Sequence, residues 1–288
     1  MSLRIKENVN PSLIIILSVI LIISSSITIT ANNNNIFGTS FVIAYGNLNQ
    51  TKSNHLTKSS IDILQNMPAK KVHVGDIDVA YKMFGKGKPI ILIGGVPLVM
   101  DAWQPSMLQE LASNHTVIIF DNRGVGNTTS GTKPFSIEQF ANDTSGLLSA
   151  LQIHKADVLG FSVGSLIAQE LILMHPAMVN KLILYASDCG GKESISPSPQ
   201  VGQAILSNPQ ALSSVIKNPS QTAQAFLPLL FPQKWIAENP NFVSKFLTMF
   251  GVLKEIDPPD TIIRQFQAIG SWTGSCNDLS KISIPTLS

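Results

Sequence analysis

One serine in this chain sits where a nucleophile could be made. Ser162 is the centre of Gly160-Phe-Ser-Val-Gly164, a G-x-S-x-G pattern. Val158 and Leu159 before it read as the end of a short buried strand. Leu166, Ile167, Leu171 and Met174 after it recur at helical spacing. The serine is therefore expected on a sharp strand-to-helix turn, its hydroxyl standing out at a helix N-terminus. Gly160 and Gly164 fit that turn, because bulky side chains there would clash with the neighbouring strand and helix. The chemistry this suits is attack on a carbonyl carbon. The pattern alone is weak evidence; a strand before it and a helix after it make it strong.

The elements that must hold this turn can be read in order. Lys71–Val74 and Ile77–Tyr81 alternate about Gly75-Asp76, which predicts an antiparallel hairpin. Ile90–Ile93 is a continuous apolar run ending in Gly94-Gly95, as expected of a parallel strand covered on both faces. A helix is expected over Met100–Leu111, then a second buried strand over Thr116–Phe120, closed by Asp121-Asn-Arg-Gly-Val-Gly126. Ser136-Ile-Glu-Gln139 is a capping box that opens a helix with Phe140, Leu147, Leu148 and Leu151 on one face. The strand at 157–160, the helix to His175-Pro176 and the strand Lys181–Tyr185 follow. This alternation predicts an α/β domain, its mostly parallel sheet wrapped by helices on both faces.

After Gly190-Gly191 the rhythm breaks. From about Lys192 to Gly270 no strand is expected, only short helical segments between prolines. Phe226, Leu229, Leu230, Phe231, Trp235, Phe242, Phe246 and Phe250 are their apolar content. This reads as a helical cap inserted between strands, its aromatic residues predicting an apolar roof over Ser162. Ser283–Leu287 then starts a further buried strand. The expected division is 1–31, 32–68, a core over 69–191, the cap over 192–270 and a return to the core over 271–288.

The order of elements, with the serine turn after the third parallel strand, resembles the α/β-hydrolase fold over roughly residues 70 to 288. Four motifs carry the resemblance: Gly94-Gly95-Val96-Pro97, Phe120-Asp-Asn-Arg-Gly-Val-Gly126, Gly160-Phe-Ser-Val-Gly164, and Lys281-Ile-Ser-Ile-Pro-Thr-Leu287. The resemblance implies a lidded serine hydrolase in which Ser162 forms an acyl-enzyme. The backbone N–H groups of Val163 and of Val96 would stabilise the oxyanion. Gly94 stands where the family usually has histidine, which leaves the backbone contact in place but removes a side chain that often braces the loop.

A serine nucleophile needs a base, normally histidine, and a carboxylate to orient it. In the family the acid follows the strand that Ile284–Leu287 begins, with the histidine one strand later. Neither position exists in this sequence, so the expectation is a C-terminally incomplete chain lacking its last strands, its base and its turnover. The five histidines, His55, His73, His115, His154 and His175, read as linker, hairpin, strand-start and helix-end residues. Asp188, after the strand that follows the serine turn, is the alternative acid, weighed against a plain turn or cap-hinge residue. Asp121 and Arg123 are expected to be a structural pair.

Gly124-Val-Gly126 lacks the register and downstream acid of a dinucleotide fingerprint. No phosphate-binding loop and no metal-ligand spacing is present, so no cofactor and no metal are expected. Over its 288 residues the chain is 44% hydrophobic and 13% charged, with a formal net charge of +2. No basic patch suggests a nucleic-acid partner; the expected partner is a small molecule. Arg4 and Lys6 precede an apolar run, Leu13–Ile23, and small residues to Ala31, which reads equally as a cleaved export signal or a membrane anchor. The protein is thus expected outside the cytoplasm, free or tethered to the outer face of the membrane by a polar linker over 32–68. Export makes Cys189 and Cys276 candidates for a disulfide, with two free thiols the equal alternative.

The function these observations converge on is hydrolysis of a small, largely apolar ester, thioester or lactone. Two rivals share the fold: a non-catalytic binding protein, and a cofactor-free perhydrolase or haloperoxidase working through the same serine.

Overall fold

A computed structural model describes residues 67–96, 98–193, 227, 231–241 and 260–288. Its sheet has seven strands: β1 (Lys70–Val74), β2 (Ile77–Gly85), β3 (Lys88–Ile93), β4 (His115–Phe120), β5 (Ala156–Phe161), β6 (Val179–Tyr185) and β7 (Thr286–Leu287), in the spatial order β1-β2-β4-β3-β5-β6-β7. The β1–β2 hairpin is antiparallel, and β2 joins β4 antiparallel. Every other pairing is parallel. Among the described residues, the helices include α1 (Pro105–Ala112), α2 (Ile137–Ala150), α3 (Val163–Met174), α4 (Gln233–Glu238) and α5 (Asp260–Ser271).

The two-sided burial anticipated for the central strands is present, and period two explains it. Ile91 and Ile93 of β3, with Ile118, Phe120 and Val158, meet α2 and α3 through Phe140, Leu147, Leu148, Ile167 and Leu171. Ile90 and Leu92, with Val117, Ile119 and Phe161, meet Met100, Trp103 and Leu108 on the other face. Each strand therefore reads as unbroken apolar sequence because alternate residues enter different cores.

The helix expected over Met100–Leu111 is two elements. A 3-10 turn spans Met100–Ala102, and α1 begins only at Pro105. Pro105 accounts for the break. A residue before proline is driven out of the helical region, and Gln104 is extended (φ −64°, ψ 124°). Ser136 caps α2 as expected, accepting from the Gln139 N–H at 3.0 Å. The Gln139 side chain goes instead to Asp143, at 2.8 Å.

Asp121 and Arg123 are not a pair with each other. Arg123 is buried and bonds Asp143 of α2 and Asp76 of the β1–β2 turn, at 2.7 to 3.1 Å. Asp121 accepts from the N–H groups of Met100 (2.7 Å) and Asn127 (2.9 Å). The hydrogen bonds from Arg123 hold the Asp76 carboxyl well below the usual carboxylate range, against the opposing effect of burial. Asp121 moves the other way, pushed up by burial against the two N–H groups it accepts from.

The N-terminal segments 1–31 and 32–68 fall outside the described residues, apart from Met67 and Pro68. Most of the expected cap does too. Within it Leu227 and Phe231 are buried, and the Phe231 ring stacks on Trp235 with centroids 4.7 Å apart. Cys189 and Cys276 form a disulfide, so the free-thiol alternative does not apply. Among the described residues, no helix is long and apolar enough to cross a membrane.

Candidate active site

β5 and α3 are joined by a single residue, Ser162, which has φ 54° and ψ −121°. A positive φ outside glycine is strained, and it persists only where the surroundings enforce it. Here they do. The Ser162 N–H donates to the Tyr185 carbonyl of β6 at 2.9 Å, and the Ser162 carbonyl accepts from the N–H of Ser165 (2.8 Å) and its hydroxyl (2.5 Å). The chain is thereby gripped before and after the turn.

The two flanking glycines are required by contact. A Cβ on Gly160 would run into the Gly164 carbonyl oxygen and lie 2.6 Å from the Ser165 Cα. A Cβ on Gly164 would strike the Ile93 carbonyl and lie 2.9 Å from that of Gly94. The first turn of α3 thus packs directly on the end of β3. Val163 is the first residue of α3, so its N–H has no partner within the helix and is available at the positive end of the helix dipole.

The loop after β3 closes the other side. A Cβ on Gly95 would lie 2.9 Å from the Ser162 Cβ and 3.3 Å from its Oγ, so the loop backbone passes against the serine side chain. The Gly95 carbonyl accepts from the Leu98 N–H at 2.8 Å, closing a turn over Gly95–Leu98. In a trans peptide the N–H points opposite to the carbonyl, so this bond turns the Val96 N–H away from Leu98. Asn122, buried at the end of β4, donates through Nδ2 to the Gly94 carbonyl at 3.1 Å. Lys82, buried on β2, reaches Asp101 at 2.6 Å. With Asp121 on the Met100 N–H, the loop is tied to the sheet at Gly94, Met100 and Asp101.

Asp188 stands three residues beyond β6. Its carboxylate accepts from the Gly190 N–H at 2.6 Å, and its carbonyl lies 2.9 Å from Gln169 Nε2. Gln169 of α3 is buried, and its Oε1 accepts from the Ser275 hydroxyl at 2.5 Å. The disulfide lies at the same place, and Ser275 N–H donates to the Cys189 carbonyl at 2.7 Å. The segments around Asp188 and Ser275 are therefore both fastened to α3.

No described histidine is brought to Ser162. His115 begins β4 and His154 precedes β5, whereas Ser162 follows the end of β5. His175 caps the far end of α3, about 18 Å along the helix axis. His73, on β1, is four strand spacings from β5, about 19 Å, and bonds Asp78 at 2.9 Å. His55 lies outside the described residues.

Sequence reasoning missed Asn122, Gln169 and Lys82. Asn122 lies inside the Asp121–Gly126 motif, but nothing in its neighbours signals a bond to residue 94. Gln169 and Lys82 are polar residues in otherwise apolar stretches, which is a signal that a buried partner exists but not which one.

A strained serine between a parallel strand and a helix, with a backbone loop closing on it, defines a class of protein. The sequence model described as the alpha/beta hydrolase fold matches residues 88–242. The chain belongs to that family. It is 30% identical over 167 residues to "Putative carbamate hydrolase RutD" of Azorhizobium caulinodans, which covers 58% of this chain and 60% of that protein. Over 112 residues it is 36% identical to "Putative non-heme bromoperoxidase BpoC" of Mycobacterium tuberculosis, 38% of this chain and 42% of that protein. The chain thus spans about 60% or less of the length of these curated relatives. Among solved structures, a thermophilic esterase from Thermogutta terrifontis superposes with a TM-score of 0.60 at 22% identity, covering 76% of this chain and 78% of that one. The enol-lactonase from Burkholderia xenovorans gives 0.59 at 21%, covering 75% and 79%. Both show likeness of fold.

Proposed function

We propose that this protein is a serine hydrolase that cleaves a small, largely apolar ester, thioester or lactone through an acyl-enzyme on Ser162. The observation that carries the reading is the Ser162 backbone, held at φ 54° between β5 and α3. Strain of this kind survives where it aims a side chain. In the proposed reaction the Ser162 Oγ attacks the carbonyl carbon, and the hydroxyl proton passes to a base. The oxygen that gains charge is met by the N–H groups of Val163 and Val96. Collapse of the tetrahedral intermediate expels the leaving group, and water then releases the acid. Two preorganised donors in such a hole contribute on the order of 3 kcal/mol each. The relative named as a carbamate hydrolase supports hydrolysis at a carbonyl.

Ser162 also needs a histidine and a carboxylate. No described histidine approaches it, and Asp188 is the acid nominated among the described residues, its carboxylate engaged by Gly190. A fluorophosphonate probe tests the reading: labelling confined to Ser162, and abolished by Ser162→Ala, supports it.

One relative favours a second reading, perhydrolysis or haloperoxidase-type chemistry at the same serine, since it is named as a bromoperoxidase. Product analysis with hydrogen peroxide and a short carboxylic acid separates the two: peracid as the dominant product would favour the second.

Export, with or without retention at the outer face of the membrane, is proposed on the Leu13–Ile23 run and on a disulfide suited to an oxidising compartment. Fractionation of the native host tests it. Recovery in the cytoplasmic fraction would contradict it.

A further inference from the structure

We infer that Asn122 is a positioning residue for the oxyanion loop, acting through the carbonyl of Gly94; this rests on the serine-hydrolase reading above. The loop runs from Gly94 to Met100 and carries the Val96 N–H, and its described residues before the 3-10 turn at Met100 belong to no helix or strand. Adjacent residues at the end of β4 hold its two ends. Asp121 accepts from the Met100 N–H at 2.7 Å, and Asn122 donates to the Gly94 carbonyl at 3.1 Å. Both residues are buried, 1% and 8% exposed, so neither bond competes with bulk water.

The direction of the Asn122 bond matters. It draws the Gly94 carbonyl towards β4, so the Gly95 N–H of the same peptide faces the other way. The next peptide is set by the Gly95 carbonyl accepting from Leu98. Two successive peptide planes are therefore fixed by their carbonyls, and the second carries the Val96 N–H. Gly95 between them lies against Ser162 and has no side chain with which to resist rotation. Without the Asn122 donor, the first plane would be free to turn and the second would follow. A donor misplaced by about 1 Å is enough to cost two orders of magnitude in rate.

Asn122 acts through the Gly94 carbonyl, so its effect should fall on the chemical step and spare ground-state binding. The test uses the protein expressed from its full reading frame, assayed on a p-nitrophenyl ester, with Asn122→Asp and Asn122→Ala. The aspartate keeps the shape and removes the donor; the alanine avoids a buried charge. The expected result is a ten- to hundredfold fall in kcat with KM within about twofold. Affinity for an alkyl boronic acid, which places an oxygen in the hole, should fall in parallel. Amide exchange at Gly95 and Val96 should quicken while exchange in β3 and β4 stays the same. If either variant folds with wild-type kcat and boronate affinity, the inference is overturned. Ser162→Ala separates the two levels. An inactive Ser162→Ala beside an unaffected Asn122→Ala sinks the inference alone, whereas a wild type that neither hydrolyses nor labels overturns the hydrolase reading and this inference with it.

Discussion

Gly95 and Ser162 are packed so closely that the loop has no room for a side chain: a Cβ on Gly95 would lie 2.9 Å from the Ser162 Cβ. The atom it meets is the root of the serine side chain, which cannot rotate away. Gly95→Ala is therefore expected to displace Ser162 or the loop and to lower kcat on a p-nitrophenyl ester at least tenfold. Wild-type turnover in Gly95→Ala would contradict the closeness of the loop to the serine.

Gly164→Ala should act on the fold first. Its new methyl would meet the Ile93 carbonyl, which is held in the β3 ladder. Forcing one methyl into a packed contact of this kind costs about 1–3 kcal/mol. Urea denaturation should show the loss as a lower midpoint with an unchanged slope.

The elements behind these two predictions were legible in the sequence, because each is encoded locally. The contacts of Gly95 with Ser162 and of Gly164 with Ile93 join distant parts of the chain and were not legible. The turn at Ser162 is encoded within five residues, and the strands around it by their apolar runs. The break before α1 was legible in principle too, since Pro105 marks it, but the apolar residues on either side obscured it. What could not be read was pairing at a distance. Arg123 finds Asp76, 47 residues earlier, and Asn122 finds Gly94 across two strand ends. Nothing near Arg123 in sequence distinguishes those partners from Asp121. The disulfide was an even choice because two cysteines 87 residues apart say nothing of whether the chain brings them together.

The Arg123 network makes a prediction in stability and in pH. Arg123→Met leaves Asp76 and Asp143 without their cation, an expected cost of about 3–5 kcal/mol. Asp76 has a folded pKa below its unfolded value near 3.8. Its contribution is therefore present above that value and is lost as pH falls towards the folded pKa. Asp121, raised by burial, has the opposite sign: its ionisation in the fold costs stability as pH rises above 3.8. Denaturation midpoints followed from pH 7 down through about pH 2 should show the Asp76 loss below its unfolded value near 3.8, and a smaller loss there in Arg123→Met. An identical acid limb in the variant would show that Arg123 does not set the Asp76 ionisation.

Cys189 and Cys276 join two points 87 residues apart in the chain. On the chain-entropy account a loop of this length contributes about 4–5 kcal/mol. Reduction, or Cys189→Ser with Cys276→Ser, should lower the Tm measurably. A reduced protein that melts with the oxidised one would mean that the bond adds nothing to the fold.

The central claim is that Ser162 is the nucleophile. Its most direct test is mass spectrometry of the fluorophosphonate-treated protein, expressed from its full reading frame, beside Ser162→Ala. The account predicts a single adduct on the peptide containing Gly160–Gly164, absent from the alanine variant, with ester hydrolysis lost in step. An unlabelled Ser162 in a protein that still hydrolyses the ester, or hydrolysis surviving Ser162→Ala, would contradict it.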